Sequence, residues 1–321
     1  MFGNLWGNNE MQVHFLGKSV TGASHERSGT EGQDCFKIVE EGNVLILAVA
    51  DGHGSKYAEF SKDGSQIAVD VFCRIMSDYA RKYRIDKFSD SLLKEKIGAI
   101  TDGVLTAFKK DKKYSPATDE LISFLNRDGQ TKIAQTITNE WKEEVHRKHK
   151  SEMRHDCLHD DGSIDWSLLL KKYGSTLLGL VIAEDFVFAF QLGDGDAVRI
   201  DDNKIESVVV TDKILGVETH SIGRVDSWKN AKTKVLRLKK SENRPYAYFL
   251  TTDGFANSYP SQREYDNAIR EYFNNIKEHG FEAVESNLTD WLVETSKMGC
   301  GDDTTMVVAY FADEKVLENN E

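Results

Sequence analysis

The amino-acid sequence predicts an α+β fold with antiparallel sheets. Short apolar runs have the length of strands, and longer segments carry apolar residues at the spacing of an amphipathic helix. The strands cluster around residues 44–50 and 177–252, and the helices lie between and after them in blocks. This arrangement lacks the strict alternation of strand and helix that a parallel sheet requires.

Six apolar runs predict strands. Each is short and rich in β-branched or aromatic residues, which favour a strand over a helix. In chain order the runs are 44–50, 177–183, 186–192, 208–210, 246–252 and 306–311.

Five segments predict helices. In the first, the apolar residues that share one helix face are Ala68, Val71, Phe72, Ile75, Met76 and Tyr79. The same spacing recurs over 93–108, 133–145, 265–276 and 281–291. The segment 145–167 is instead polar, with few core residues and many charges, and it predicts a solvated helix end followed by a loop.

The composition favours one globular domain. The chain has 321 residues, of which 40% are apolar and only three are proline, so it is too rich in core-forming residues to be disordered or collagen-like. Because it contains no internal repeat or low-complexity linker, residues 1–321 are interpreted as a single domain. The formal charge of −12 disfavours nucleic acid and anionic membrane surfaces as partners.

The expected location is the cytoplasm. The first ten residues lack the basic and apolar regions of a signal peptide, and no apolar run reaches the ~18 residues that span a bilayer. The cysteines form no CxxC pair, which argues against a disulfide framework and a zinc knuckle. A soluble protein with reduced thiols is therefore expected. The cysteines are Cys35, Cys73, Cys157 and Cys300.

Asp-Gly dipeptides lie at the ends of predicted strands. The dipeptide occurs seven times and alone indicates only a turn. Asp51, Asp194 and Asp253, however, follow predicted strands directly or after one glycine, and Asp302 and Asp303 stand just before the last strand. Such strand ends can bring four acidic sites to one rim of a sheet.

Carboxylates that converge in this way indicate a divalent cation site. They repel one another unless they are protonated or neutralised, and hard divalent cations prefer oxygen ligands. The adjacent glycines permit tight turns and the close approach of a backbone carbonyl to an ion. Ordinary strand-end turns are the alternative, which the recurrence of the pattern at four sites disfavours.

A second group of metal-binding residue types lies in the polar segment. No recognised zinc spacing fits it, and lysines and arginines are mixed among its members, so a solvated helix end is the favoured interpretation. The group is His146, His149, His155, Cys157 and His159.

Six segments resemble, in order, the motifs of the metal-dependent serine/threonine protein phosphatases of type 2C. The first, GASHERSGTEGQDCF at 22–36, has the form seen in the bacterial branch of that family. The other segments are ADGHGS at 50–55, YGSTLLGLVI at 173–182, LGDGDAVRI at 192–200, TTDGFANSY at 251–259 and GDDTTMVVAYF at 301–311. The resemblance covers about 20–311.

The resemblance implies a sandwich of two packed antiparallel sheets flanked by helices, with a metal site in the cleft between the sheets. Asp51 would bridge two Mn²⁺ or Mg²⁺ ions, and the Gly52 carbonyl would bind one of them. Asp253 and Asp302 would complete the shell of the other ion. Asp34 would reach the metals mainly through water.

Further roles follow from the same resemblance. His53 matches the general acid of the family, and Asp194 would help to bind a third ion. The arginine that holds the substrate phosphate usually lies five residues before the first-motif aspartate, but Gly29 occupies that position here. Arg27 is the nearest candidate, and His25 is the next.

Two departures from the family pattern leave the implied metal ligands in place. Gln33 stands where many members have glutamate, and Asp303 stands where they usually have asparagine.

The implied function is hydrolysis of phosphoserine and phosphothreonine in protein substrates by a water that two metal ions activate. The implied partners are phosphoproteins and a cognate serine/threonine kinase system, with no nucleic acid and no membrane. A catalytically weak pseudophosphatase that serves as a binding module, and a phosphatase of small phosphorylated metabolites, are the alternatives. Substrate choice is expected to reside in the polar helical insert at about 110–172.

Overall fold

Two antiparallel sheets lie face to face, and helices cover the outer side of each. The structure is a computed structural model that describes residues 2–3, 11–83, 116–154, 156–209, 220–238 and 244–313. This arrangement confirms the predicted α+β fold and the implied sandwich.

One sheet has six strands and the other has five. The order in the six-stranded sheet is β1 (Phe2–Gly3), β2 (Met11–Val20), β11 (Thr304–Asp313), β10 (Tyr246–Thr251), β7 (Asp196–Asp201) and β8 (Ile205–Ser207). The order in the five-stranded sheet is β3 (Cys35–Glu41), β4 (Val44–Ala50), β5 (Leu177–Ile182), β6 (Phe186–Leu192) and β9 (Lys232–Arg237).

The helices form the two outer layers and several short connections. The longer ones are α2 (Ser61–Lys82), α3 (Pro116–Asp128), α4 (Ala134–Ser151), α7 (Gln262–His279) and α8 (Phe281–Met298). The shorter ones are α1 (Ala23–Ser28), α5 (Trp166–Lys172) and α6 (Asp253–Ala256). α2, α3 and α4 pack on the five-stranded sheet, and α7 and α8 pack on the six-stranded sheet. Among the described residues, no helix combines the length and apolar character needed to cross a membrane.

The layered packing explains why the central strands are apolar at every position. In β4, Leu45, Leu47 and Val49 face the other sheet, whereas Ile46 and Ala48 face the helical layer. Both faces of the strand are therefore buried, and the alternation of a half-exposed strand is lost.

Most predicted elements are confirmed, with local corrections. The periodic segments over 133–145, 265–276 and 281–291 fall in α4, α7 and α8, whereas 93–108 lies outside the described residues. The strand predicted at 208–210 is wrong over its first two residues. Val208 donates one more hydrogen bond to the Ala197 carbonyl (2.8 Å), but Val208 and Val209 form a buried bend after β8.

The polar segment at 145–167 is less solvated than its composition suggests. α4 runs to Ser151 and a loop follows, as expected. However, His149 is only 5% exposed and Cys157 only 2% exposed. His149 lies on α4 with its Nδ1 3.4 Å from the hydroxyl of Tyr173, and Cys157 packs in the same hydrophobic cluster as Tyr173.

α2 approaches the chain before β5 very closely. A Cβ at Gly64 would lie 1.9 Å from the Tyr173 carbonyl oxygen. The same glycine accepts a hydrogen bond at its own carbonyl from Nε1 of the buried Trp141 (2.9 Å). The helical layer therefore fixes residues 173–176, and Gly174 in turn accepts a hydrogen bond from the His53 backbone (3.1 Å).

Replacing Gly64 with alanine should destabilise the protein by about 1–3 kcal/mol, because the new methyl group has no room beside the Tyr173 carbonyl. Chemical denaturation followed by circular dichroism measures the effect. Gln66→Ala, at an exposed position of α2, is the matched control and should change the stability by no more than ~0.5 kcal/mol. Equal stability of the two variants would contradict the close packing.

Candidate active site

Five strands place an aspartate at one rim of the sandwich. β4 ends directly before Asp51, β6 ends two residues before Asp194, and β10 ends two residues before Asp253. Asp34 directly precedes β3, and Asp302 stands two residues before β11. The antiparallel order accounts for this, because the end of one strand lies beside the start of its neighbour.

The strand register brings these carboxylates together. Cys35 pairs with Ala50, so the next residues along, Asp34 and Asp51, lie side by side. Thr251 pairs with Asp196. The residues just before β7 and just after β10 therefore lie near each other, which brings Asp194 towards Asp253.

Burial and mutual repulsion raise the pKa values of three of these aspartates. The pKa of Asp51 lies well above its usual value because the side chain is buried and because Asp34, Asp253, Asp302 and Asp194 repel its charge. Burial and repulsion by Asp194 and Asp302 raise the pKa of Asp253 to about 6. A hydrogen bond that Asn257 donates to its carboxylate (2.9 Å) partly offsets this rise.

Asp34 is held by one carboxylate oxygen only. Its Oδ2 accepts hydrogen bonds from the hydroxyls of Thr252 (2.6 Å) and Thr305 (2.9 Å). Burial nevertheless raises the pKa of Asp34 to about 7 against the effect of these two hydroxyls. Its Oδ1 is shielded from solvent and makes no hydrogen bond within the described part of the chain. A buried acceptor without a donor fits a cation or a water molecule bound to one.

Gly52 occupies a position where a side chain would not fit. A Cβ there would lie 2.7 Å from the Gln33 carbonyl oxygen and 2.8 Å from that of Ser61. The residue also forms an isolated antiparallel bridge with Ser175. The backbone can therefore pass between three segments directly beside Asp51.

Asp303 differs from the other aspartates because donors surround it. Its Oδ1 accepts from the Gly22 backbone (2.6 Å) and from Nδ1 of His25 (2.9 Å), and its Oδ2 accepts from the Gln33 backbone (2.6 Å). The side chain is 4% exposed. Asp303 therefore ties the first motif to the start of β11.

A cleft of about 600 Å³ opens above the carboxylates. Asp51, Asp194 and Asp253 line it together with His53. The His53 ring lies close to Gly174, since a Cβ at Gly174 would stand 2.9 Å from its Nδ1. The cleft thus combines acidic groups with one imidazole whose position depends on a glycine.

Cations other than the two phosphate-binding candidates line the cleft. Among the described residues, Lys171 and Arg224 are the lysine and arginine side chains that line it. Arg27 does not; it is exposed on α1, and one guanidinium nitrogen lies 3.7 Å from where a Cβ of Gly301 would stand. His25 is likewise absent from the lining and bonds to Asp303.

Sequence reasoning missed these contacts for different reasons. Thr252 and Thr305 stand inside two of the motifs, next to the acidic residues, so their position offered a signal. Lys171 lies in the segment at about 110–172, where substrate choice is expected, but neither Lys171 nor Arg224 belongs to a motif that would single it out.

The second metal-like group is only partly assembled. Ligand atoms of His149, Asp156 and Cys157 lie within 4.8 Å of one another. However, the Asp156 carboxylate is already neutralised by Nζ of Lys172 at 2.5 Å. This ammonium disfavours a metal ion at the same carboxylate.

Comparison with known proteins assigns this chain to a family. The family model described as protein phosphatase 2C matches residues 21–293. No curated protein matches the chain.

Solved structures share the fold at low sequence identity. The catalytic domain of the serine/threonine phosphatase PstP, crystallised with two manganese ions, is 14% identical with a TM-score of 0.53, covering 94% of this chain and 100% of that one. A bacterial serine phosphatase is 15% identical with a TM-score of 0.52, covering 94% and 97%. A sex determining protein of C. elegans is 13% identical with a TM-score of 0.52, covering 96% and 67%.

At these identities the solved structures establish the fold alone. The family model adds the assignment, because it matches most of the chain and spans the aspartates at 34, 51, 194 and 253. The chain therefore belongs to the protein phosphatase 2C family.

Proposed function

We propose that this chain, a protein serine/threonine phosphatase by its family, hydrolyses phosphoserine and phosphothreonine in protein substrates with two Mn²⁺ or Mg²⁺ ions held at the rim carboxylates. The observation that carries the proposal is the cluster of aspartates at this rim, where burial and mutual repulsion raise the pKa values of Asp34, Asp51 and Asp253. The charges that destabilise this cluster are those that bound cations would neutralise. The two manganese ions in the PstP structure support the same choice of metal.

Asp51, the Gly52 carbonyl, Asp253 and Asp302 would hold the two ions. Asp34 would act through a water molecule. Thr252 and Thr305 donate to its Oδ2, so its Oδ1 is the oxygen available to accept from that water. When bound, the two ions lower the pKa of a water molecule and neutralise charge on the phosphoryl oxygens.

His53 would supply the proton that the leaving group needs. The alkoxide of serine or threonine is a poor leaving group, and an imidazole can donate a proton near neutral pH. The placement of His53 in the cleft lining, with its backbone held by Gly174, supports this role.

Arg27 would hold the phosphoryl group, with His25 as the second candidate. The proximity of the Arg27 guanidinium to Gly301, which directly precedes Asp302, supports a place for it at the edge of the metal site. His25 would act mainly by keeping its hydrogen bond to Asp303. A cognate serine/threonine kinase would supply the phosphorylated substrates.

Assays of a phosphoserine peptide and a small phosphate ester, each with and without Mn²⁺, test the function. Turnover of both should depend on Mn²⁺, and Asp51→Asn should reduce kcat/KM by at least ~100-fold because an amide carries no charge to bridge two ions. Metal content measured by calorimetry should fall in parallel.

Asp161→Asn is the matched control, because Asp161 also precedes a glycine but lies in an exposed turn. It should retain full activity. Full activity of Asp51→Asn with unchanged metal content would contradict the assignment, and hydrolysis of the small ester alone would favour a metabolite phosphatase.

His53→Ala should slow the phosphopeptide roughly 10²- to 10⁴-fold and slow p-nitrophenyl phosphate far less, because the aryl leaving group needs little protonation. The ratio of the two kcat values is the measurement. Ser55→Ala, at another residue lining the cleft, is the control and should leave the ratio unchanged. An equal loss on both substrates would assign His53 a structural role.

Asp194→Ala should leave two tightly bound ions and weaken a third. Asp194 lines the cleft and repels Asp253, so it can share an additional ion with that residue. Mn²⁺ titrations by calorimetry and by rate should show that more metal is needed for full turnover of the phosphopeptide. Asp160→Ala, at an exposed position, provides the control. Titration curves that overlay those of the unmodified protein would exclude a functional third ion.

A further inference from the structure

One wall of the cleft carries positive charge. The acidic residues that line the cleft are the three aspartates of the floor, whereas the lysine and arginine on its lining are Lys171 and Arg224. Both of these cationic side chains are exposed. We call this pair the cationic wall.

The two segments that carry the cationic wall are fastened to each other. The Ile222 backbone donates a hydrogen bond to the Ser175 carbonyl (2.8 Å), and Ile222 itself is buried. Gly223 packs so closely that a Cβ there would lie 2.6 Å from the Leu170 carbonyl oxygen. The backbones beside Lys171 and Arg224 are therefore held in fixed relative positions.

Exposed apolar side chains accompany these cations at the mouth of the cleft. Val225, next to Arg224, lines the cleft and is 56% exposed. Tyr57 is also 56% exposed, and Nζ of Lys171 lies 4.4 Å from the centre of its ring. Apolar groups beside fixed charges can contact a polypeptide that extends beyond its phosphorylated residue.

We propose that the cationic wall binds aspartate or glutamate side chains next to the phosphorylated residue, so that this phosphatase prefers acidic phosphoprotein segments. The inference rests on the proposed function and specifies its substrate class. The whole chain carries a formal charge of −12, so the two cations that line the cleft are a local exception to its negative field and attract acidic groups only there. The aspartates of the floor serve the phosphoryl group, and the cationic wall binds the side chains on either side of the phosphorylated residue.

Three phosphoserine peptides that differ only at the residues flanking phosphoserine test this inference. The flanking residues are glutamate, glutamine or lysine, and kcat/KM is measured for each peptide with saturating Mn²⁺. The unmodified protein should prefer the glutamate peptide over the glutamine peptide by roughly 2- to 30-fold, the combined effect of two exposed ion pairs. In the double variant Lys171→Gln, Arg224→Gln this ratio should fall to about one.

The matched control removes two positive charges elsewhere. Lys150 and Lys234 are exposed and do not line the cleft, so the double variant Lys150→Gln, Lys234→Gln should keep the preference of the unmodified protein. A preference that fell equally in this control would show that net charge alone is responsible and would overturn the proposal.

Reversal of the charge provides an independent test. The double variant Lys171→Glu, Arg224→Glu should prefer the lysine peptide over the glutamate peptide. If the unmodified protein hydrolyses the glutamate and glutamine peptides equally well, the cationic wall is not a specificity site. If it hydrolyses none of the three peptides with Mn²⁺, the proposed function fails instead, so the two failures are distinguishable.

Discussion

The repulsion among carboxylates at one rim of the sandwich is the constraint on which the rest of the structure depends. Asp51 is partly buried near four other aspartates, and the repulsion from each of them raises the free energy of its charged form. The apolar layers between and outside the sheets must hold these groups together, because the groups do not attract one another. Cations that bind only the folded arrangement would remove this cost and stabilise the fold.

Hydrogen-bond donors divide the buried aspartates into two kinds. Asp303 accepts three hydrogen bonds through both oxygens, so its charge is satisfied by the protein itself. Asp34 accepts two hydrogen bonds through Oδ2, and its buried Oδ1 accepts none within the described part of the chain. The first pattern serves to connect segments, whereas the second leaves an oxygen available for a metal-bound water. Two buried aspartates at the same rim can therefore have different roles.

Much of the fold could be predicted because its central strands and amphipathic helices are buried in a regular way. The apolar run at 44–50 has the same bounds as the observed strand, because both faces of this strand pack against other layers. β2, β3, β7 and β9 were not predicted, because their apolar residues are diluted by charged or polar ones; β9, at a sheet edge, reads KTKVLR. Composition also misjudged the loop after α4, where Cys157 is buried by contacts that no local pattern encodes.

The floor and the wall of the cleft differ in how much of them the sequence could reveal. The floor needs carboxylates and glycines at particular strand ends, so its chemistry leaves a recognisable pattern along the chain. The wall needs only positive charge at two positions, and the chain contains 41 lysines and arginines. What selects Lys171 and Arg224 from that number is the packing of Gly223 against Leu170, which joins segments that are distant in sequence. The motifs therefore indicate the reaction class. The two cations that would select among substrates can be identified only from the folded structure.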